Sequence, residues 1–105
     1  MRIKLIVPQS GGGRLIDPIV AYGLSVARIA GGFTSHKATG GWIDGSGVLV
    51  VEPVTVFECG MDTAQASDYA KAEAAFVTLA RQIGRNLKQD CVYLEIDGHT
   101  VFVKP

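Results

Sequence analysis

The fold is decided by residues 69–87, which read YAKAEAAFVTLARQIGRNL. Apolar side chains recur in this segment in steps of one, three or four, and the charged residues fall on the other faces, which is the pattern of an amphipathic helix. We expect this helix to begin among Asp62, Thr63 and Ser67 and to pack on a sheet. The residues of the apolar face are Tyr69, Ala72, Phe76, Leu79, Ala80, Ile83 and Leu87.

The chain after this helix predicts a hairpin. Residues 91–95 and 100–103 are β-prone, and the dipeptide Asp97-Gly98 lies between them. Because a two-residue hairpin turn needs residues that tolerate positive φ, Asp-Gly between two such runs is among the strongest short-range hairpin signals. We therefore expect two short strands after the helix.

A strand and a further helix are predicted near the N-terminus. Residues 2–7 are rich in branched side chains, and Pro8 closes the run. Asp17-Pro18 begins a helix, with Asp17 as the N-cap and Pro18 at the first helical position, where its missing N–H costs nothing. Gly31-Gly32 ends this helix after about 13 residues.

A longer hairpin is predicted between the two helices. Residues 34–43 and 48–59 are β-prone, and Asp44-Gly45-Ser46-Gly47 supplies the reversal. Pro53 cannot donate a ladder hydrogen bond, so the second strand should lie at an edge of the sheet or bulge at that residue.

These elements predict an α+β fold. The order strand, helix, strand, strand, helix, strand, with the last strand doubled back, is typical of a ferredoxin-like βαββαβ antiparallel sheet with two helices on one face and a C-terminal β-hairpin. Successive side chains of a strand alternate faces, so the apolar residues of 48–57 cannot all face the helices. We expect a second copy to cover the remainder, as a homodimer or higher homo-oligomer joined through the open sheet face or an edge strand.

Composition excludes several classes of protein. The chain has 105 residues, 48% of them hydrophobic, and 10 Lys and Arg against 10 Asp and Glu. This predicts one domain over residues 1–105 rather than a disordered chain, and the formal net charge of +0 argues against duplex nucleic acid as a partner. The apolar runs are too short for a membrane helix or a secretory signal, so we expect a cytoplasmic protein. Cys59 and Cys91 are expected to be buried thiols.

Short motifs spread over nearly the whole chain resemble small proteins of phages, prophages and bacterial accessory DNA. The resemblance implies a ferredoxin-like α+β domain and a mobile-element setting in the cytoplasm of a bacterial host. It also implies a role against host defence, and it supplies no catalytic residues. The motifs are Gly32-Phe33-Thr34, Gly41-Trp42-Ile43-Asp44, the Gly47 turn, Glu52-Pro53 and the segment 92–98.

The glycine-rich segment 11–14 is the best candidate phosphate site. Gly12, Gly13 and Arg14 lie between a strand end and a helix N-terminus, where exposed N–H groups and the helix dipole favour anions. The segment lacks the Lys-Ser/Thr of a P-loop and the spacing of a dinucleotide fingerprint. A flexible loop is the favoured interpretation of this segment.

The central hairpin carries the other candidate ligand-binding residues, His36, Lys37, Trp42 and Glu52. His36 and Trp42 have even separation, so they share a face of an unbulged strand, where an aromatic ring beside a donor suits a stacked base. Against this, the only Trp in a small domain is more often a core or interface anchor. The pattern assigns no catalytic residue, no metal and no cofactor, because the histidines and cysteines lack ligand spacing and no nucleophile motif is present.

The sequence is compatible with three functions. The leading hypothesis is a non-enzymatic phage or mobile-element binding protein that counteracts host defence by sequestering a nucleotide signal. The second is a small dimeric enzyme on the same fold, with His36 or Glu52 as proton carrier. The third is an inhibitor that blocks a host defence protein directly. The expected partner is therefore a small anionic ligand, such as a nucleotide, or a host protein.

Overall fold

The computed structural model describes residues 1–63 and 66–105. The spatial order of the main sheet is β4-β5-β1-β6-β7, all antiparallel, and β2 and β3 form a separate two-stranded hairpin. In chain order the elements are β1 (Arg2–Pro8), β2 (Ser10–Gly11), β3 (Arg14–Leu15), α1 (Pro18–Ala30), β4 (Thr34–Ile43), β5 (Leu49–Gly60), α2 (Ala66–Asn86), β6 (Val92–Ile96) and β7 (His99–Val103).

This arrangement confirms the ferredoxin-like α+β prediction. The strand that follows α2 lies beside β1, and the strand that precedes α2 lies on the other side of β1, with β4 and β7 at the two edges. Both helices pack on one face of the sheet. Neither α1 nor the described part of α2 is long and apolar enough to cross a membrane.

Local sequence signals set several element ends. The Asp17 carboxylate accepts hydrogen bonds from the backbone N–H of Ile19 at 2.9 Å and of Val20 at 3.4 Å, so it caps α1 as predicted. Gly31 ends α1 with a left-handed φ of 86°. The predicted start of α2 includes residues 64 and 65, which lie outside the described residues. The helix is described from Ala66.

The core lies between the sheet and the helices. Alternate residues of β1, namely Ile3, Leu5 and Val7, face the helices and are buried. Phe76 and Leu79 of α2 meet them from the other side, with exposed fractions of 0% and 5%, so the predicted helix face is confirmed as core. The predicted burial of both cysteines is wrong for one of them, because Cys59 is buried and Cys91, just before β6, is exposed.

The β4–β5 hairpin is longer than the rest of the sheet. β1 ends at Pro8, which pairs with Val54, whereas β5 extends back from Val54 to Leu49 with β4 as its partner. We call residues 39–53 the arm. Pro53 lies in this one-sided part, as the edge prediction requires, and its carbonyl accepts a hydrogen bond from the Gln9 N–H at 3.3 Å.

Candidate functional site

An apolar groove of about 490 Å³ lies where β1 ends. The arm continues past Pro8, whereas β6 begins only at Val92, on the other side of β1. The sheet is therefore open between the arm and the segment that joins α2 to β6. Ile6, Pro8 and Val54 line the groove at the sheet. We call this space the aromatic groove, because Trp42, Tyr93 and Phe102 line it.

Trp42 and Glu52 line the arm side of the aromatic groove. β4 and β5 pair one to one without a bulge, with Gly40 opposite Glu52 and Trp42 opposite Val50. Trp42 and Glu52 are therefore diagonal neighbours on one face of the arm, at Cα separations of about 7–8 Å for such pairs. A Cβ at Gly40 would lie 3.2 Å from a Val54 methyl, so Gly40 keeps the space above the sheet free beside Glu52.

Tyr93 and Phe102 line the opposite side of the aromatic groove. Their rings meet edge to face with centroids 5.8 Å apart, and the Tyr93 hydroxyl lies 3.3 Å from the Thr100 hydroxyl. This aromatic pair was not predicted from the sequence. The Asp97-Gly98 turn contained the signal, because a two-residue turn pairs Ile96 with His99 and thereby places Tyr93 opposite Phe102.

Glu52 is one of two carboxylates that line the aromatic groove. Its partial burial among apolar groups raises its pKa, because desolvation disfavours the charged form. Lys88 and Asp90, in the segment that joins α2 to β6, also line the groove. The groove therefore combines aromatic surfaces for a flat ring with two carboxylates and one ammonium group.

Lys88 has a defined backbone conformation. It follows α2 with a left-handed φ of 49°, its N–H bonds to the Arg85 carbonyl at 3.4 Å, and the Gln89 N–H bonds to the Gly84 carbonyl at 2.8 Å. This is a Schellman C-cap with lysine in the position that glycine usually takes. Since lysine is not a typical residue there, the sequence contained no signal for it.

The glycine-rich segment packs behind Lys88 and is a hairpin rather than the predicted loop. A Cβ at Gly12 would lie 2.9 Å from Lys88 Cγ, and a Cβ at Gly11 would overlap the Leu87 carbonyl oxygen and lie 2.6 Å from Gln89 Nε2. Gly11 and Gly12 thus allow β2 and β3 to approach the segment that borders the aromatic groove. Gly13 and Arg14 are exposed on this hairpin.

We expect Gly11→Ala to destabilise the protein by about 1–3 kcal/mol, because the backbone of residue 87 must move to make room for a methyl group. Thermal or urea unfolding measures this loss. Gly32→Ala is the matched control, since nothing lies near a Cβ at Gly32 and its φ is not positive. Equal stability of the two variants would contradict the close packing at Gly11.

His36 and Lys37 lie in a different groove from Trp42 and Glu52. That groove, of about 500 Å³, is bordered by Asp17 and Ile19 at the start of α1 and by Leu15 of β3. The predicted ligand-binding residues are therefore distributed over three places. The structure brings together Trp42 and Glu52 in one groove and His36 and Lys37 in another, with Gly12, Gly13 and Arg14 on the glycine hairpin.

A charged groove lies on the sheet at the opposite end of β1. Lys4 Nζ lies 3.7 Å from Glu58 Oε1 and 3.8 Å from Glu95 Oε2, and these half-exposed ion pairs contribute little to stability. The Arg2 N–H donates to Asp97 at 2.7 Å, which lowers the pKa of Asp97. In the described part of the chain, no group of three or more His, Cys, Asp or Glu side chains could hold a metal ion.

Comparison with solved structures supports the fold. No protein-family model matches the chain, and no curated protein matches it in sequence. A phage SAM lyase in complex with S-methyl-5'-thioadenosine matches with a TM-score of 0.72 at 14% identity, over 99% of this chain and 88% of the lyase. A phage SAM lyase in the apo state matches with a TM-score of 0.68 at 15% identity and the same coverage.

These neighbours overturn the leading functional hypothesis. They are enzymes, so they contradict a non-enzymatic protein that sequesters a nucleotide signal, and they favour the small-enzyme alternative. They are also phage proteins, which agrees with the phage setting that the sequence resemblance implied. At 14–15% identity the likeness shows a shared fold.

Proposed function

We propose that this protein is a lyase that cleaves S-adenosylmethionine (SAM) and releases S-methyl-5'-thioadenosine from the aromatic groove. The observation that carries the proposal is the match of nearly the whole chain to a SAM lyase that holds this thioadenosine. The aromatic groove of the present chain offers a flat aromatic surface next to a carboxylate, which suits an adenosine group.

The adenosine part of the substrate fits the arm side of the groove. In the proposed complex, the adenine ring stacks on Trp42, because every base has a π-face that an indole can cover. Glu52 is the diagonal neighbour of Trp42 on the same face, so it accepts hydrogen bonds from the ribose hydroxyls. Both contacts are available to SAM and to S-methyl-5'-thioadenosine, since the product keeps the whole adenosine part.

The remainder of SAM carries an ammonium and a carboxylate group. Lys88 is the cation of the groove and pairs with the substrate carboxylate, and Asp90 pairs with the substrate ammonium. The proposed ligand differs in charge from the small anion that the sequence predicted, because SAM also carries a sulfonium centre.

The proposed reaction breaks the bond between the sulfonium sulfur and the γ-carbon of the aminobutyrate part. The electron pair of this bond moves to sulfur, which becomes the neutral thioether of S-methyl-5'-thioadenosine. The substrate's own carboxylate oxygen bonds to the γ-carbon and closes a five-membered lactone, so atoms and charge balance without water or a proton acceptor. A positive and a negative charge disappear together in this step, and apolar walls favour it because they solvate the separated charges poorly.

Such an activity fits a phage protein that acts in the cytoplasm of a bacterial host. Removal of SAM deprives host defence systems of a methyl donor. The role against host defence that the sequence resemblance implied is therefore retained. In this proposal the protein destroys a metabolite instead of sequestering a nucleotide signal.

Incubation of the purified chain with SAM tests the proposal directly. We expect S-methyl-5'-thioadenosine and the lactone to appear in equal amounts by chromatography and mass spectrometry, with a turnover that depends on protein concentration. We also expect S-methyl-5'-thioadenosine to raise the melting temperature, since it binds only the folded chain. No product after prolonged incubation at several protein concentrations would overturn the proposal.

Glu52→Gln should raise KM for SAM about tenfold or more and weaken product binding by a similar factor, because a charged acceptor for the ribose is lost. Since the pKa of Glu52 is raised, binding by the native chain should weaken as the pH falls through that raised pKa, and the variant should lack this dependence. Glu58→Gln is the matched control on the same strand and face, outside the groove. Unchanged product binding in Glu52→Gln would contradict the ribose contact.

We further propose that residues 1–105 act as one domain and that the working form is a homo-oligomer, such as a two-fold dimer. Light scattering at micromolar concentration measures the mass, and a monomer mass across that range would remove the oligomer. Contact through the open sheet face stays a prediction, as do ligand contacts of Arg14, His36 and Lys37. Arg14→Ala tests the ligand contact of Arg14 and leaves the aromatic groove unchanged.

A further inference from the structure

Two aromatic rings of the aromatic groove take no part in the proposed cleavage. Tyr93 of β6 and Phe102 of β7 are cross-strand neighbours on the face of the sheet that points away from the helices, since Val92 and Leu94 on either side of Tyr93 are buried against them. Both rings line the groove, and Phe102 is 63% exposed and lies outside the core cluster. The pair is therefore free to contact a ligand.

The structure gives this pair a defined orientation. The two ring planes meet at 78°, so the edge of one ring points at the π-face of the other. The Tyr93 hydroxyl lies within hydrogen-bond distance of the Thr100 hydroxyl, which ties the Tyr93 ring to the neighbouring strand. An aromatic π-face carries a negative electrostatic potential and attracts a cation within about 6 Å of its centre.

The charged groups of the aromatic groove also favour a cation. Glu52 and Asp90 are acidic, and Lys88 is basic, so the lining has one more acidic than basic side chain. SAM has a net positive charge, because it carries a carboxylate, an ammonium and a sulfonium group, whereas S-methyl-5'-thioadenosine is neutral. Once Lys88 and Asp90 pair with the two ends of the aminobutyrate part, the charge that remains on the groove is opposite in sign to the sulfonium.

The place of the sulfonium follows from the contacts of the two parts that it joins. In the proposed complex the adenosine part lies on the arm at Trp42, and the aminobutyrate part lies at the segment that joins α2 to β6. The sulfonium connects these parts, so it lies between the arm and β6. Tyr93 follows Asp90 by three residues and lines this side of the groove.

We infer that the Tyr93–Phe102 pair is a cation subsite that selects nucleosides with a positively charged sulfonium centre over neutral thioethers. The inference rests on the proposed function, because it assigns a further contact to the same ligand. The positive charge of a sulfonium is spread over the carbon groups bonded to sulfur, and these groups pack on aromatic faces without losing a hydrogen bond.

The subsite acts on substrate binding rather than on bond breaking. The positive charge on sulfur decreases as the bond to the γ-carbon breaks, so the attraction to the rings is weaker in the transition state than in the bound substrate. An interaction of this kind lowers KM and does not raise kcat. The attraction is absent from the neutral product, which therefore leaves the groove more readily than SAM.

Two stable analogues test the selection without turnover. Sinefungin carries an ammonium-bearing carbon where SAM carries its methylated sulfur, and S-adenosylhomocysteine has a neutral thioether at the same place. In isothermal titration, we expect the native chain to bind sinefungin about 2- to 30-fold more tightly than S-adenosylhomocysteine. Phe102→Leu keeps an apolar side chain but removes the ring, so this preference should fall and KM for SAM should rise at unchanged kcat.

Phe102→Tyr is the matched control, because it restores a ring at the same position and should restore the preference. Melting temperatures of both variants measure folding, which should be retained since Phe102 is largely exposed. Equal affinity of the native chain for the two analogues, or a preference that persists in Phe102→Leu, would overturn the cation subsite alone. A native chain that prefers sinefungin but does not cleave SAM would overturn the proposed reaction alone, and a chain that binds neither analogue would overturn both.

Discussion

Replacing Trp42 by alanine is expected to weaken binding of SAM and of S-methyl-5'-thioadenosine about 5- to 150-fold, because stacking on an aromatic side chain contributes about 1–3 kcal/mol per base. Trp42 is 44% exposed on the arm and lies outside the core cluster, so the melting temperature should hardly change. Isothermal titration with the product measures the first effect, and differential scanning calorimetry measures the second.

Trp42→Phe is the conservative control for this variant. It keeps an aromatic face, so most of the affinity should return. Unfolding of Trp42→Ala would mean that the indole is structural and that the ligand site lies elsewhere. A folded Trp42→Ala variant with native affinity would place adenine away from the arm.

Replacing Phe76 by alanine is expected to cost about 3–5 kcal/mol of the free energy of unfolding. Its ring is fully buried at the centre of the α2 face that packs on the sheet. Small proteins have about 5–15 kcal/mol in total, so the variant should unfold at much lower urea concentration or temperature. Chemical unfolding followed by circular dichroism gives the value.

Ala74→Gly on the same helix provides a comparison, because Ala74 is exposed and the change removes no core contact. Its cost should stay near the roughly 1 kcal/mol of helix propensity. A loss under about 1 kcal/mol for Phe76→Ala would place this face of α2 in solvent and would contradict the packing of α2 on the sheet.

The two variants test parts of the molecule that differ in how far the sequence predicts them. Phe76 follows from periodicity alone, since a helix with one apolar stripe has only one face to bury. Trp42 follows from strand alternation, which placed it on one face with His36 but did not show what lies opposite. The partners of Trp42 across the groove are Tyr93 of β6 and Phe102 of β7, about 50 and 60 residues later in the chain.

The glycine-rich segment shows where local interpretation failed. Consecutive glycines before a helix suggested an anion site or a flexible loop, and the structure has a hairpin whose glycines allow close approach to residues 87–89. Close approach is a property of two segments, so the composition of one of them cannot distinguish it from a loop. The exposure of Cys91 also depends on tertiary structure, because Cys91 lies just before β6 at the open end of the sheet.

The sequence by itself determined the elements whose ends depend on neighbouring residues. Asp17-Pro18 and Gly31 bound α1, Asp97-Gly98 sets the register of the last hairpin, and the apolar stripe orients α2, because capping, turn geometry and periodicity act over a few residues. Only the tertiary structure decided that β1 pairs with β5 in the register that places Pro8 opposite Val54, so that β5 extends past the end of β1 to Leu49. The aromatic groove exists because of that register, which depends on pairing between residues distant in sequence.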